Sequence, residues 1–142
     1  MPATSSARAL RARLLAALVA PTPRDRIGAA AVALLVIANL FYHGAQPYAV
    51  DAIAAPWDKL AHLLLFFVLG ALCWVAFAGR RFWVVLAVCA LVAGTDELAQ
   101  LLNPGRDVDV FDWLADMAGV LLAGWLLAHL QRAWSARAAP AA

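Results

Sequence analysis

Four long apolar segments alternate with short polar stretches along this chain. The segments run from Ile27 to about Ala45, from Leu60 to Ala78, from Phe82 to Leu102, and from about Phe111 to Leu130. Each has about the 20 residues that an α-helix needs to cross the hydrocarbon core of a bilayer. Strands of a membrane barrel would instead alternate polar and apolar residues over about ten positions, so these continuous segments predict membrane-spanning helices.

The composition supports this interpretation. Of the 142 residues, 65% are hydrophobic and only 14% are charged, and the mean hydropathy is +0.80. A soluble domain has about 25% charged residues. The sequence therefore predicts an all-α membrane protein, a bundle of four transmembrane helices. Cys73 and Cys89 lie inside apolar segments and are expected to be buried free thiols.

The distribution of basic residues predicts the orientation of the helices. Nine of the 11 lie before the first segment, between the second and third, or after the fourth, and only Lys59 and Arg106 do not. By the positive-inside rule, both termini are expected in the cytoplasm. All acidic residues except Asp25 then lie towards the outer side.

The segments divide the chain into three parts. We expect a basic cytoplasmic arm, a transmembrane domain and a cytoplasmic tail at residues 1–26, 27–130 and 131–142. The arm is similar to a cleaved signal peptide, but cleavage would leave Arg24 and Arg26 beside an outward-facing helix start. Two interpretations of the arm stay open: a partly helical segment on anionic lipid and a disordered tail.

The second segment begins with the polar motif Asp58-Lys59-x-x-His62. Steps of about 100° per residue place Asp58 and His62 about 40° apart, on one helix face. The same face continues with Leu65, Leu69 and Cys73. We therefore expect it to point into the bundle. A structural hydrogen bond and a chemical role both stay open for His62.

Polar residues also mark the outer ends of the third and fourth segments. Glu97 and Gln100 are three residues apart, in line with Ala90, Ala93 and Gly94. Asp112 and Asp116 share a stripe with Gly119 and Ala123. Small residues let membrane helices approach closely. We expect the polar groups, together with His62 and Arg106, to meet in one pocket that opens outwards.

Glu97 is the residue hardest to explain by structure alone. It lies five residues before Leu102, roughly 8 Å inside the predicted helix end. An ionisable group at such a depth costs on the order of 2–3 kcal/mol, so its presence favours a functional role.

Several other polar residues have simpler structural interpretations. Asp109 and Asp112 could be a helix N-cap and a first-turn acid. Asp58 could cap the second segment, and Lys59 could extend to lipid head groups. Arg106 could be a turn residue paired with a neighbouring carboxylate.

Three motifs in the same order resemble those of the VanZ-like family, small bacterial membrane proteins named for a teicoplanin-resistance protein. The motifs are Asp58-Lys59-x-x-His62, Asp96-Glu97-x-x-Gln100, and Pro104-Gly105-Arg106 followed by Asp112-x-x-x-Asp116-x-x-Gly119. The resemblance covers about Trp57 to Gly124, with one departure: the family usually has Asn where this chain has Asp116. It implies a protein of the bacterial inner membrane and cell envelope, linked to glycopeptide susceptibility.

Three functions stay open: an enzyme acting on a lipid-linked or head-group substrate at the outer leaflet, a non-catalytic binder of a lipid, envelope precursor or drug, and a small proton-linked carrier. In the enzyme, Glu97 would be the general base and His62 its acid–base partner. Arg106 would bind an anionic group. If Glu97 is the base, Glu97→Gln abolishes turnover while binding persists.

The remaining site residues complete the expected pocket. Asp112 and Asp116 are expected in the catalytic set, and Asp58, Lys59 and Gln100 are expected to bind substrate. Membrane lipids or a lipid-linked envelope precursor are the expected partners. The sequence contains no nucleotide-binding loop, serine nucleophile motif or cysteine metal motif, and we expect no cofactor and no nucleic-acid partner.

The carboxylates of the expected pocket outnumber its basic groups. Protonation, with Glu97 as the best candidate, and pairing with Arg106 are the favoured compensation. A divalent cation between Glu97, Asp112 and Asp116 is the alternative. With His62 added, it could be a transition metal.

The orientation can be tested by labelling. In intact cells, Tyr48→Cys is expected to react with a membrane-impermeant thiol reagent, whereas Arg137→Cys is not, because the basic residues predict that Tyr48 is outside. The unsubstituted protein, whose two cysteines lie in apolar segments, is the background control. The opposite labelling pattern would overturn this topology.

Overall fold

The computed structural model describes residues 5–49, 52–103 and 108–138. These ranges contain five α-helices and no strand. The helices are α1 (Ser5–Val19), α2 (Pro23–Gly44), α3 (Trp57–Ala76), α4 (Phe82–Gln100) and α5 (Val110–Ala138). The last four are long and apolar enough to cross a membrane. The predicted all-α fold with four spanning helices is therefore confirmed.

The helices differ from the predicted segments mainly at their ends. α2 begins at Pro23 because Thr22 caps it: the Thr22 hydroxyl accepts the N–H of Asp25, and the Asp25 carboxylate accepts the N–H of Thr22. α5 continues beyond Leu130 to Ala138. This last stretch contains no Gly or Pro to end a helix.

The basic arm is helical over Ser5–Val19, as the first of its two interpretations expected. Val19, its last helical residue, is buried. The position of α1 relative to the membrane and the division of the chain into arm, domain and tail remain predictions.

The bundle is centred on the parallel packing of α3 against α5. Gly119 of α5 lies directly on the α3 backbone: a Cβ atom there would be 2.2 Å from the Leu63 carbonyl oxygen and 2.8 Å from the Phe67 nitrogen. Gly70 of α3 is also close to α5, though less so, since its Cβ would be 3.2 Å from the Val120 Cα. The contact at Gly119 is possible only because one helix has no side chain there.

The faces expected to point inwards do so. Leu69 and Cys73 of α3, Ala93 of α4 and Ala123 of α5 are all buried. Large apolar side chains remain exposed on the outer faces of the bundle, as expected for helices surrounded by lipid; they include Leu34, Leu35, Leu91, Leu98, Leu121, Leu122 and Trp125.

Charged residues separate to the two ends of the bundle. At the basic end, defined by Arg26, Arg80, Arg81 and Arg132, the Arg26 side chain donates to the Ala76 carbonyl at the end of α3. At the opposite end, the polar end, the Asn103 amide donates to the Gly44 carbonyl and joins the ends of α4 and α2. The polar end contains Lys59 and the acidic residues that begin α5.

The α3–α5 contact predicts the effect of a single methyl group. Gly119→Ala is expected to lower the free energy of unfolding by about 1–3 kcal/mol or more, because the Leu63 backbone must move to admit the Cβ atom. Unfolding in mixed detergent micelles measures this change. Gly28→Ala in α2 is the matched control, since a Cβ there meets nothing within 4 Å. Equal stability of the two variants would contradict the contact.

Candidate functional site

Lys59 is the centre of an ionic cluster that joins α3 to α5. Its ammonium group donates to Asp58 at 2.9 Å, to Asp112 at 2.6 Å and to Asp109 at 2.5 Å. An ammonium group has three protons, so these three carboxylates use all of its donors. In this arrangement Lys59 holds the start of α5 against α3, and a substrate anion must compete with carboxylates to reach it.

His62 lies one turn deeper, between two carboxylates of α5. Its Nδ1 forms a hydrogen bond with the Asp116 Oδ1 at 3.0 Å, and its Nε2 lies 3.8 Å from the Asp112 Oδ2. The second distance is too long for a direct hydrogen bond. His62 is therefore oriented by Asp116, while its Nε2 keeps the capacity to exchange a proton with a third group.

Asp116 is the deepest charged residue of this cluster. It is fully buried, and its Oδ2 has no hydrogen-bond partner among the described residues. An ionised carboxylate with one buried, unpaired oxygen is costly in an apolar bundle. The hydrogen bond between His62 and the other oxygen, Oδ1, is therefore the contact that stabilises this carboxylate among the described residues.

Glu97 reaches the cluster from α4. Its Oε2 accepts the backbone N–H of Asp109 at 2.9 Å, and its Oε1 accepts the Gln100 side-chain amide at 3.2 Å. Both Glu97 and Gln100 are buried. The structure thus places Glu97 against the first turn of α5 and shows a structural contact for each of its oxygens.

Asp109 connects all three helices, a role that the sequence suggested only in part. The expected N-cap is confirmed, because its Oδ1 accepts the N–H of Phe111 at 2.8 Å. Asp109 lies outside the spanning helices, and the hydrogen bond from Lys59 lowers the pKa of its carboxyl below the ordinary value. The carboxylate therefore stays ionised while it binds Lys59. Its contact with Glu97 depends on tertiary structure and has no signal in the sequence.

The other expected cap has a different role. α3 begins after Pro56 without a side-chain cap. Asp58 instead accepts hydrogen bonds from the backbone and side chain of Lys59. Asp58 therefore belongs to the ionic cluster.

A cavity of about 240 Å³ lies between the ends of α2 and α4. Its polar lining comes from Asp96, Gln100 and Asn103, and Phe41 and Gly44 lie on the α2 side. Asp96 is buried but was not among the predicted site residues. Its spacing of four residues from Gln100 was the signal that could have found it.

The expected pocket is only partly assembled by the described residues. His62, Asp112 and Asp116 meet directly, Glu97 and Gln100 join them through Asp109, and the cavity beside α4 is lined by Gln100 alone among the predicted residues. Arg106, the expected anion-binding residue, lies outside the described residues. Within the ranges that are described, no group of three or more His, Cys, Asp or Glu side chains is arranged to hold a metal ion.

The helices and the cluster define a small multi-pass helical membrane protein with a polar site at one end of its bundle. The family profile described as VanZ/LLP1 matches residues 15–132. The chain therefore belongs to the VanZ-like family, as the three motifs indicated. Comparison with curated proteins gave no match, and neither did comparison with solved structures.

The ionic cluster predicts strong coupling between Lys59 and Asp112. Lys59→Met is expected to lower the free energy of unfolding by about 1–3 kcal/mol, because three neighbouring carboxylates lose their shared cation. In a double-mutant cycle with Asp112→Asn, the two losses are expected to be less than additive by at least about 0.5 kcal/mol.

Arg132→Met provides the control for this cycle. Arg132 is exposed at the basic end and donates to a carbonyl of its own helix, so its replacement is expected to cost less than about 0.5 kcal/mol. Additive losses for Lys59 and Asp112 would show that the cluster is not a cooperative unit.

Proposed function

We propose that this protein acts on the polar head of a lipid-linked or cell-envelope substrate at the outer leaflet of the bacterial inner membrane. The observation that carries the proposal is the His62–Asp116 pair, in which buried Asp116 contacts the partly exposed His62, next to Asp112 of the ionic cluster at the end of the bundle. Buried ionisable groups in membrane helices are costly and usually serve a function.

The proposed chemistry uses His62 as the general base and acid. Asp116 orients the imidazole through Nδ1, so Nε2 can accept a proton from a hydroxyl group of the substrate or from water. The oxygen thus activated forms a bond to a carbonyl carbon or phosphorus of the substrate, and the bond to the leaving group breaks. The imidazolium, stabilised by Asp112 and Asp116, then returns its proton to the leaving group.

The other predicted site residues have supporting parts in this proposal. Lys59 and Asp58 hold Asp112 in place, Gln100 faces both Glu97 and the neighbouring cavity, and Arg106 is proposed to bind an anionic group of the substrate. The anionic group would be a phosphate or a carboxylate, which lipid head groups and lipid-linked precursors both contain.

The separation of charges supports an outward-facing site. The basic end of the bundle is expected in the cytoplasm, with both termini, and the polar end is then outside. Beyond Asp116 the α3–α5 interface continues with Gly119, Val120 and Ala123, so the described polar chain ends inside the bundle. This arrangement favours a site that works at one membrane surface over a proton-linked carrier.

The test is a comparison of lipids and lipid-linked precursors in bacterial cells that express the protein, its His62→Gln variant, or neither. The unsubstituted protein is expected to change the abundance of at least one lipid or precursor. His62→Gln is expected to abolish the change, because loss of a general base costs about 10²–10⁴ in rate. Teicoplanin susceptibility of the same strains is a second measurement.

His129→Gln is the matched control, since His129 is exposed on α5 and its ring contacts the Trp125 carbonyl, away from the cluster. It is expected to behave like the unsubstituted protein. Identical lipid profiles with and without the protein, accompanied by altered teicoplanin susceptibility, would overturn the enzyme and favour the non-catalytic binder.

A further inference from the structure

Glu97 lies where the end of α4 meets the start of α5. A helix N-terminus exposes backbone N–H groups that need acceptors. In α5, Asp109 is the N-cap and satisfies the N–H of Phe111. The N–H of Asp109 itself is satisfied by Glu97 at 2.9 Å.

This arrangement resembles a capping box whose second acceptor comes from another helix. In an ordinary capping box, the side chain three residues after the N-cap accepts the N-cap N–H. In α5 that residue is Asp112, but its carboxylate binds Lys59 instead. Glu97 takes its place, and its negative charge is also favourable beside the positive end of the helix dipole.

From this geometry we infer that Glu97 is a positioning residue, which holds the first turn of α5 so that Asp112 and Asp116 face Lys59 and His62. Of the two measurements described below, only the measurement of activity rests on the proposed function. In this inference His62, and not Glu97, transfers the proton.

The contacts of Glu97 support this division of roles. Its two oxygens accept hydrogen bonds from Gln100 and Asp109, and its side chain is buried, with the residue 4% exposed. A general base must reach the proton that it abstracts. His62 has the more accessible side chain, 16% exposed, and a ring nitrogen without a direct hydrogen bond to Asp112.

The test compares two substitutions of similar size. In Glu97→Gln, the carboxamide oxygen can still accept the Asp109 N–H, and Gln100 can rotate its own amide by 180° to present an oxygen to the new amide group. In Glu97→Leu, no acceptor remains. A positioning role therefore predicts that the first substitution is tolerated and the second is not.

Hydrogen exchange of the purified protein in detergent measures how firmly the first turn of α5 is held. It is followed over the peptide that begins α5. Glu97→Leu is expected to accelerate exchange there by roughly tenfold or more, whereas Glu97→Gln is expected to stay close to the unsubstituted protein. In the lipid comparison, Glu97→Gln is expected to retain activity within about threefold, with an unshifted pH profile, in contrast to the roughly 10²–10⁴-fold loss of an absent base.

Two results would overturn the inference. The first is a loss of activity in Glu97→Gln while the start of α5 exchanges as in the unsubstituted protein. That result would show that Glu97 is the base. The other is Glu97→Leu with unchanged exchange at the start of α5. The exchange measurement does not depend on the substrate. It therefore tests whether Glu97 holds the start of α5 even if the proposed function is wrong.

Discussion

The structure depends on the direct backbone contact between α3 and α5 at Gly119. Because no side chain separates the helices there, they run side by side towards the polar end, and residues with a nearly constant spacing face each other. Lys59 meets Asp112, and His62 meets Asp116. Any side chain at Gly119 would separate the helices at the level of Leu63, next to His62.

Charge balance is the second constraint, since carboxylates collect at the polar end of the bundle and Asp112, Asp116 and Glu97 among them are buried. Among the described residues, the negative charge of the carboxylates is compensated in three ways. Lys59 is shared by three carboxylates, Asp116 is paired with His62, and Glu97 is placed at a helix N-terminus where backbone N–H groups and the helix dipole favour a negative charge. Each of these contacts compensates a negative charge and also holds a side chain in position. The same contacts that stabilise the bundle therefore also arrange the proposed acid–base pair.

Much of the fold and part of the site could be predicted from the sequence. The prediction that one face of α3 points inwards was correct, because helical periodicity alone determines which side chains share a side; this face contains Asp58, His62, Leu69 and Cys73. The prediction for the stripe of α5 that contains Asp116 was correct for the same reason. The end of α5 was predicted too early because a fall in hydropathy ends a membrane segment but does not end a helix.

The sequence by itself determined that the chain forms four apolar helices, which of their faces point inwards, and which polar residues must find partners, because these follow from hydropathy and from the 3.6-residue period. Only the tertiary structure decided which partners they find. The choice of Lys59 as the shared cation, and of Glu97 as the acceptor for the Asp109 N–H, depends on the register of α3 against α5 and on where α4 ends. Residues on different helices have no fixed spacing in the sequence, so a pattern along the chain could place them at the same end of the bundle but could not pair them.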